Sequence, residues 1–382
     1  DVENGRVTRR WKVPKETESF WAIPGSDQVR LMAGRRMIRK SLSTSDEELV
    51  VELSSDDVHG SWSPDGQSFV AAHPRDPPVK NGSALRFWSL EETFDAAEPV
   101  PLRGVEFSPQ AWSSDSGRVA IASTPFGDII LFDSSTGKLL AGRNVMGRIT
   151  NLRSILWSPT DELIALAAQD GEIKVVNAGD LGDAAGWSKV THPKIQALAW
   201  SPDGSRLATG GTDRTVRIWD VGTGEEILSL RGHSTTIANL AWSPDGRWVA
   251  SGQLGGLVHV WKAGEDSRPL QVKTDGPLSV NTLEWNPHGD RVAIAANQGF
   301  QYVGRILEFP SGQVKAEPGN WVKSASWHPN GRWIAAAHLD GGGDLLTVSD
   351  PQTGEEFWGV GPGSWQLAWT PDGECLAAMH NE

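Results

Sequence analysis

Apolar and polar positions alternate with a period of two in short runs along almost the whole chain. One set of runs reads "RLATGG", "RVAIAS", "LIALAA", "WVASGQ" and "WIAAAH". A second reads "TVRIWD", "LVHVWK", "DIILFD", "EIKVVN" and "ALRFWS", and a third "EEILSLRG", "KLLAGR", "SRPLQV" and "GQVKAE". Period two marks strands with one face in a core, and no stretch sustains the period of a helix.

Each set of runs follows a tryptophan. These anchors are Trp21, Trp62, Trp112, Trp157, Trp200, Trp242, Trp285, Trp327 and Trp369, spaced by 41, 50, 45, 43, 42, 43, 42 and 42 residues. Turn chemistry comes next: "SPDG" in the best copies, "NPHG", "HPNG" and "TPDG" in others. Proline presets φ there, and Asp, Asn or Gly tolerates the turn backbone. The unit is therefore a four-stranded antiparallel meander. A lone four-stranded sheet has two apolar faces, and stacking such sheets radially buries both.

The unit anchored by Trp200 carries His192 before its first strand, Thr209 in its second, Asp213 in the next turn and "Trp219-Asp220" closing its third. The unit of Trp242 opens on "Gly232-His233" and keeps Ser251 and Trp261. This resembles the WD40-repeat family, with the match covering roughly residues 17–382. The resemblance implies an all-β propeller and a buried hydrogen-bonded tetrad of His192, Thr209, Asp213 and Trp219. A glycine pair replaces the turn aspartate in the Trp242 unit, so its tetrad is expected to be broken. The expected ring has eight blades, with nine as the alternative. In the eight-bladed closure the C-terminal half unit pairs with "RMIRKSL" and "ELVVELS". In the nine-bladed one, residues 1–16 supply a ring-closing strand, "RVTRRWKV".

Composition narrows the function classes. The chain has 382 residues and a net charge of -13. An acidic surface argues against nucleic acid or an anionic membrane as partner. An apolar run of about 18 residues, as a membrane helix needs, is missing, and the opening residues do not read as a secretory signal. One cysteine, Cys375, excludes an internal disulfide and fits a cytoplasmic location. The start at Asp1 reads as a processed product or a piece of a longer protein. Nucleophile-elbow, His-Glu-x-x-His and EF-hand patterns do not occur. "STGKLL" (135–140) lacks the first glycine of a phosphate loop and reads as a turn. No catalytic residue, cofactor or metal is therefore expected.

Function is expected where the units disagree. Loops joining strand four to one and two to three share one end of such a ring, its top. The long segments 73–84, 103–110, 297–305 and 338–344 fall there, and one long bottom loop covers 178–189. Variable loops on a rigid scaffold carry binding residues. Six residues before the anchors stand Asp56, Glu106, Asn151, Lys194, Thr236, Ser279 and Trp321, an unlike set that suits one particular partner. Trp365, with Phe300 and Tyr302 on an inserted loop, adds exposed aromatics of the kind found at hot spots. Arg35, Arg36, Arg39 and Lys40, with Arg9 and Arg10, read as a charged edge strand rather than an anion site. The expected function is a non-catalytic scaffold gripping a protein or peptide on its top face, as a sensor or scaffold domain of a larger signalling protein. Alternatives are a propeller enzyme or small-ligand binder with carboxylates in its channel, and a structural subunit. The oligomeric state stays open.

Overall fold

The computed structural model describes residues 17–22, 28–33, 36–41, 47–52, 59–64, 68–73, 83–89, 100–102, 110–123, 127–147, 152–184, 186–187, 190–264, 268–273, 279–298, 301–316, 322–340, 343–350, 352–353, 355–360, 366–369 and 376–379. The described strands form eight four-stranded antiparallel sheets and a two-stranded one, Gln366–Trp369 with Leu376–Met379. The sheet of Trp200 is representative. Its strands are Ile195–Trp200, Arg206–Gly211, Thr215–Asp220 and Glu226–Arg231, paired in chain order. From the Trp112 sheet onward, successive first strands touch one another, and Thr17–Ala22 touches both strands of the last sheet. The sheets thus stand side by side with their first strands adjacent, the arrangement of a β-propeller.

The eight-bladed pairing written above does not form. Arg36–Ser41 pairs with Gln28–Ala33 and Glu47–Glu52, completing a first sheet that begins at Thr17. The two C-terminal strands pair with each other. Residues 1–16, including the candidate closing strand, lie outside the described residues. The basic run also changes meaning. Arg36, Arg39 and Lys40 sit on an interior strand, not an edge, in register with Glu52, Glu48 and Glu47 of the fourth strand.

Alternation dictates which faces are buried. Ala208, Val216, Ile218 and Leu230 of the Trp200 sheet pack with Ile237, Trp242, Val249 and Trp261 of the next. Val258 and Val260 on the opposite face of that next sheet pack with Trp285, Val292 and Ile294. The sheets of Trp157, Trp200, Trp242 and Trp285 are apolar on both faces because each packs against a neighbour on both sides.

The anchors do more than fill this core. From Trp157 to Trp369 each anchor indole donates across the seam to the carbonyl of the residue preceding the previous anchor. Trp157 Nε1 donates to Ala111 O (2.8 Å), Trp200 to Leu156 O (3.2 Å) and Trp242 to Ala199 O (3.0 Å). Trp285 donates to Ala241 O (3.2 Å), Trp327 to Glu284 O (3.3 Å) and Trp369 to Ser326 O (3.1 Å). A buried indole N–H needs an acceptor, and the inner edge of the preceding sheet offers a free one.

The turn motif closes the bottom. Ser201 is fully buried; its hydroxyl donates to Asp203 Oδ1 (2.6 Å) and accepts from Arg206 N (2.9 Å), while Gly204 takes a left-handed φ of 70°. Asn286 does the serine's work in "NPHG", accepting from Asp290 N and Arg291 N at 3.0 Å each. Arg206 then reaches the next unit, donating to Gly246 O (2.8 Å) and lying 4.9 Å above the Trp242 ring. Of the long loops, 178–187 is a packed insertion. Leu181 and Trp187 are fully buried, and Trp187 Nε1 donates to Val221 O (2.9 Å) of the next sheet.

Candidate functional site

The top mouth is built on a repeated irregularity. The first and second strands slip register near the top in the Trp157, Trp200, Trp242, Trp285 and Trp327 sheets. The extra residue is Arg153, Gln196, Ala238, Asn281 and Lys323 in turn. A bulge of this kind twists a strand and re-aims a side chain, and such bulges gather beside functional sites. Arg153 is exposed, and Gln196 and Ala238 are half-buried. Alternation hid these positions, because a one-residue slip leaves the runs on either side intact.

Next to them lie the positions six before the anchors. Lys194 is exposed, and Thr236 and Ser279 are half-buried. Lys194 has φ 50°, and its carbonyl accepts from Thr212 N (3.2 Å). Ser279 bridges to Leu254, and Leu254 N donates to Thr236 O (2.9 Å), so the mouth of adjacent units is tied by backbone. Asp56, Glu106, Asn151, Trp321, Trp365 and Phe300 lie outside the described residues. Tyr302 is not on a loop. It belongs to strand Gln301–Glu308, opposite Asn297 of Arg291–Gln298. Segments 297–305 and 338–344 are likewise mostly extended hairpin, the latter from Ile334–Asp340 and Gly343–Asp350. Polar residues such as Gln298 and Asp340 read as loop in the sequence, yet pair as strand above the core.

Two buried networks hold the mouth from beneath. Under Lys194, Trp219 Nε1 donates to Thr209 Oγ1 (2.9 Å), which lies 2.7 Å from His192 Nδ1. His192 Nε2 lies 2.9 Å from Asp213 Oδ1. Thr209 has one proton, so it donates to Nδ1, and His192 carries its own proton on Nε2 toward the carboxylate. Arg217 Nη2 donates to Asp213 Oδ2 (3.1 Å), and Thr215 Oγ1 donates to Oδ1 (2.8 Å). Burial opposes charge on Asp213, but the bonds from His192 and Thr215 outweigh it and hold the carboxyl at about 2. Burial lowers the His192 pKa against the pull of Asp213. Gly171 of the preceding sheet touches the same loop: its carbonyl accepts from His192 N (2.8 Å), and a Cβ there would overlap the His192 carbonyl.

The Trp242 network is not broken, correcting the expectation. Trp261 Nε1 donates to Ser251 Oγ (2.7 Å), and Ser251 Oγ lies 2.7 Å from His233 Nε2. His233 Nδ1 lies 2.9 Å from Gln253 Oε1, which also accepts from Ser234 N (2.9 Å). Gln253, at the end of the second strand, supplies the acceptor that Gly255 cannot. The relay thus ends on a neutral amide instead of a carboxylate. At the position of Arg217 this sheet has His259, fully buried and stacked on His233 with ring centroids 4.1 Å apart.

From the Trp112 unit to the Trp369 unit, the residue before the anchor is Ala111, Leu156, Ala199, Ala241, Glu284, Ser326 and Ala368. Glu284 is the one acid of this set, and burial pushes its carboxyl up to about 7.

Comparison with known proteins agrees with this architecture. A family model for the anaphase-promoting complex subunit 4 WD40 domain matches residues 155–245, and one for the WD domain, G-beta repeat, matches 311–342. WD repeat-containing protein 1 of Gallus gallus is 26% identical over 184 residues, 36% of this chain and 30% of its own length. The WD repeat-containing protein WDS homolog of Arabidopsis thaliana is 25% identical over 251 residues, 62% and 44% respectively. The APC/C activator protein CDC20 of Saccharomyces cerevisiae is 27% identical over 157 residues, 41% and 25%. In each case the match spans less than half of the relative. The crystal structure of the computationally designed Ika8 protein superposes with a TM-score of 0.58 at 18% identity, covering 88% of this chain and 94% of that one, and so shares the fold. With its Trp-anchored meanders, its His-Thr-Asp-Trp relay and these matches, the chain is a β-propeller of WD40-type repeats.

Proposed function

We propose that this propeller is a non-catalytic scaffold that binds a protein or peptide partner through its top mouth. One observation carries the reading: a rigid, repeated bulge and two buried networks present side chains that differ from unit to unit. Structural positions in this ring repeat, as the anchors and Ser63, Ser113, Ser158, Ser201 and Ser243 do. The mouth instead offers Arg153, Lys194, Gln196, Thr236 and Ser279. A partner docking there meets two exposed cations on an otherwise acidic chain, so carboxylates on the partner suit it. The relatives named above, one of them an activator of the APC/C, are consistent with a scaffold in a larger regulatory protein.

Affinity capture with three baits tests this. Wild type, a mouth variant (Arg153→Glu with Lys194→Glu) and a rim variant (Ile227→Glu) are compared. Partners lost only with the mouth variant support the reading. Loss only with the rim variant, where Ile227 is 52% exposed on an outer strand, overturns it in favour of a lateral surface.

A further inference from the structure

The Trp242 unit holds an arrangement that the scaffold reading does not use. His233 and His259 are fully or almost fully buried and stack nearly parallel, 18° between planes. Among the described residues, His259 Nδ1 and Nε2 are the buried side-chain atoms without a hydrogen-bond partner. A neutral imidazole wants one acceptor and one donor, so His259 is held by packing alone. Around it lie Gly232 at its edge, Trp261 on its own strand (5.0 Å between centroids), Ser251 opposite it in the second strand and Gln271 opposite it in the fourth. The neighbouring sheet's face in this seam carries Ala208, Val216, Ile218 and Leu230. Arg217 pairs with Asp213 and Glu226, and Arg231 is exposed at the end of Glu226–Arg231. The titratable group that faces His259 is His233.

We propose that the His233–His259 stack is an acid-released latch on the top loop 232–236. The loop is fastened by His233 to Ser251 and Gln253, by Thr235 Oγ1 donating to Leu254 O, and by Leu254 N donating to Thr236 O. A proton on His233 puts hydrogen on both ring nitrogens. Ser251 already accepts from Trp261 and could accept from Nε2 as well only by turning its proton to the His259 carbonyl, a long 3.4 Å away, and Gln253 offers no charge to balance the cation. A second proton on His259 places two cations a ring-stack apart in an apolar seam. Opening the loop hydrates both rings. The Trp200 unit lacks this weakness because Asp213 stands beside its histidine. Burial, which holds His233 at about 4 and, with His233, His259 at about 3, agrees in direction. The opening is a property of the loop; its effect on partner binding rests on the top-face reading above.

Hydrogen exchange on the full chain, corrected for the intrinsic pH dependence of exchange, tests the latch. Between about pH 7 and about pH 5, the amides of 233–236 and Leu254 are expected to lose protection by roughly 20–30-fold for each released histidine, because the linkage acts below the free imidazole value of 6.5. Amides of 194–198 and Thr212 are expected to lose clearly less. His259→Phe keeps a ring in the stack and removes one titration, so the loss in 233–236 shrinks toward that of a single histidine. Equal losses in the two loops, or an unchanged loss in His259→Phe, overturn the proposal. Because protection is read without any partner, the latch and the scaffold reading fail separately.

Discussion

Two aspartates of the Trp200 unit, Asp213 inside the tetrad and Asp220 beside it, should differ sharply when removed. Asp213 accepts from His192 Nε2 (2.9 Å), Thr215 Oγ1 (2.8 Å), Thr215 N (3.1 Å) and Arg217 (3.1 Å), with its side chain 24% exposed. Asp213→Ala leaves the buried His192 Nε2–H only the neutral Thr215 Oγ1 at 3.2 Å, and leaves Arg217 with Glu226 and a long 3.5 Å bond to Thr215. Hydrogen bonds to a charged group contribute roughly 1.5–3 kcal/mol each when buried, and partial exposure discounts the set, so the expected loss is about 2–3 kcal/mol. For a ring of this size melting as one unit that is about 2–4 °C in calorimetry. Asp220, in the Trp-Asp pair, bonds Thr223 N (2.9 Å) and Thr223 Oγ1 (3.0 Å) in an exposed turn, so Asp220→Ala should cost under about 1 kcal/mol. The pH dependence separates the two further. Asp213 is held at about 2, below its ordinary 3.8, so its contribution is present above about pH 4 and lost as pH falls toward 2. The gap between wild type and Asp213→Ala should widen as pH falls below 6.5, where His192 loses the carboxylate that supports its charge, and close only as pH falls toward 2. Equal costs for the two aspartates, or a gap that does not close toward pH 2, would refute the argument that the carboxylate anchors the relay.

Other seams and turns give further expectations. Trp242→Phe removes the indole bond to Ala199 O and weakens the Arg206 stack, and urea unfolding should report a loss of about 1–3 kcal/mol. Gly186→Ala would place a Cβ into the Thr223 carbonyl at a φ of 80°, so it should destabilise by more than about 2 kcal/mol. Gly147→Ala has open space and only the backbone penalty of a φ of 65°, about 1 kcal/mol. Glu284 is raised above its unfolded value, so the stability it allows is full below about pH 4.5 and lost as pH rises through about 7; Glu284→Gln should stabilise the protein by about 1–3 kcal/mol at pH 8 and have little effect at pH 4. His259→Phe should raise the melting temperature at neutral pH, because two unpartnered buried nitrogens leave the core.

The strands were legible because a half-buried strand writes its faces into the sequence. Arg118–Ser123, Leu163–Ala168, Arg206–Gly211 and Trp248–Gln253 coincide with their alternating runs. The His192 relay was legible too, since all its members lie within one unit. Gln253 was not, because nothing in "WVASGQ" says that its terminal amide turns back under the His233 loop. Trp187 looked like any loop residue until the next sheet's Val221 supplied its acceptor. The bulged mouth residues escaped for a geometric reason: a slip of one position disturbs pairing without disturbing composition.

The described indole bonds across the seams run one way. The donor sits in the later unit and the acceptor in the earlier one, from Trp157 through Trp369. During synthesis, each new meander therefore emerges to find its docking carbonyl already made. From the third unit onward, assembly can proceed vectorially, sheet upon sheet, without waiting for downstream sequence. The contact of Thr17–Ala22 with the last two strands must wait until residues 366–379 have been made.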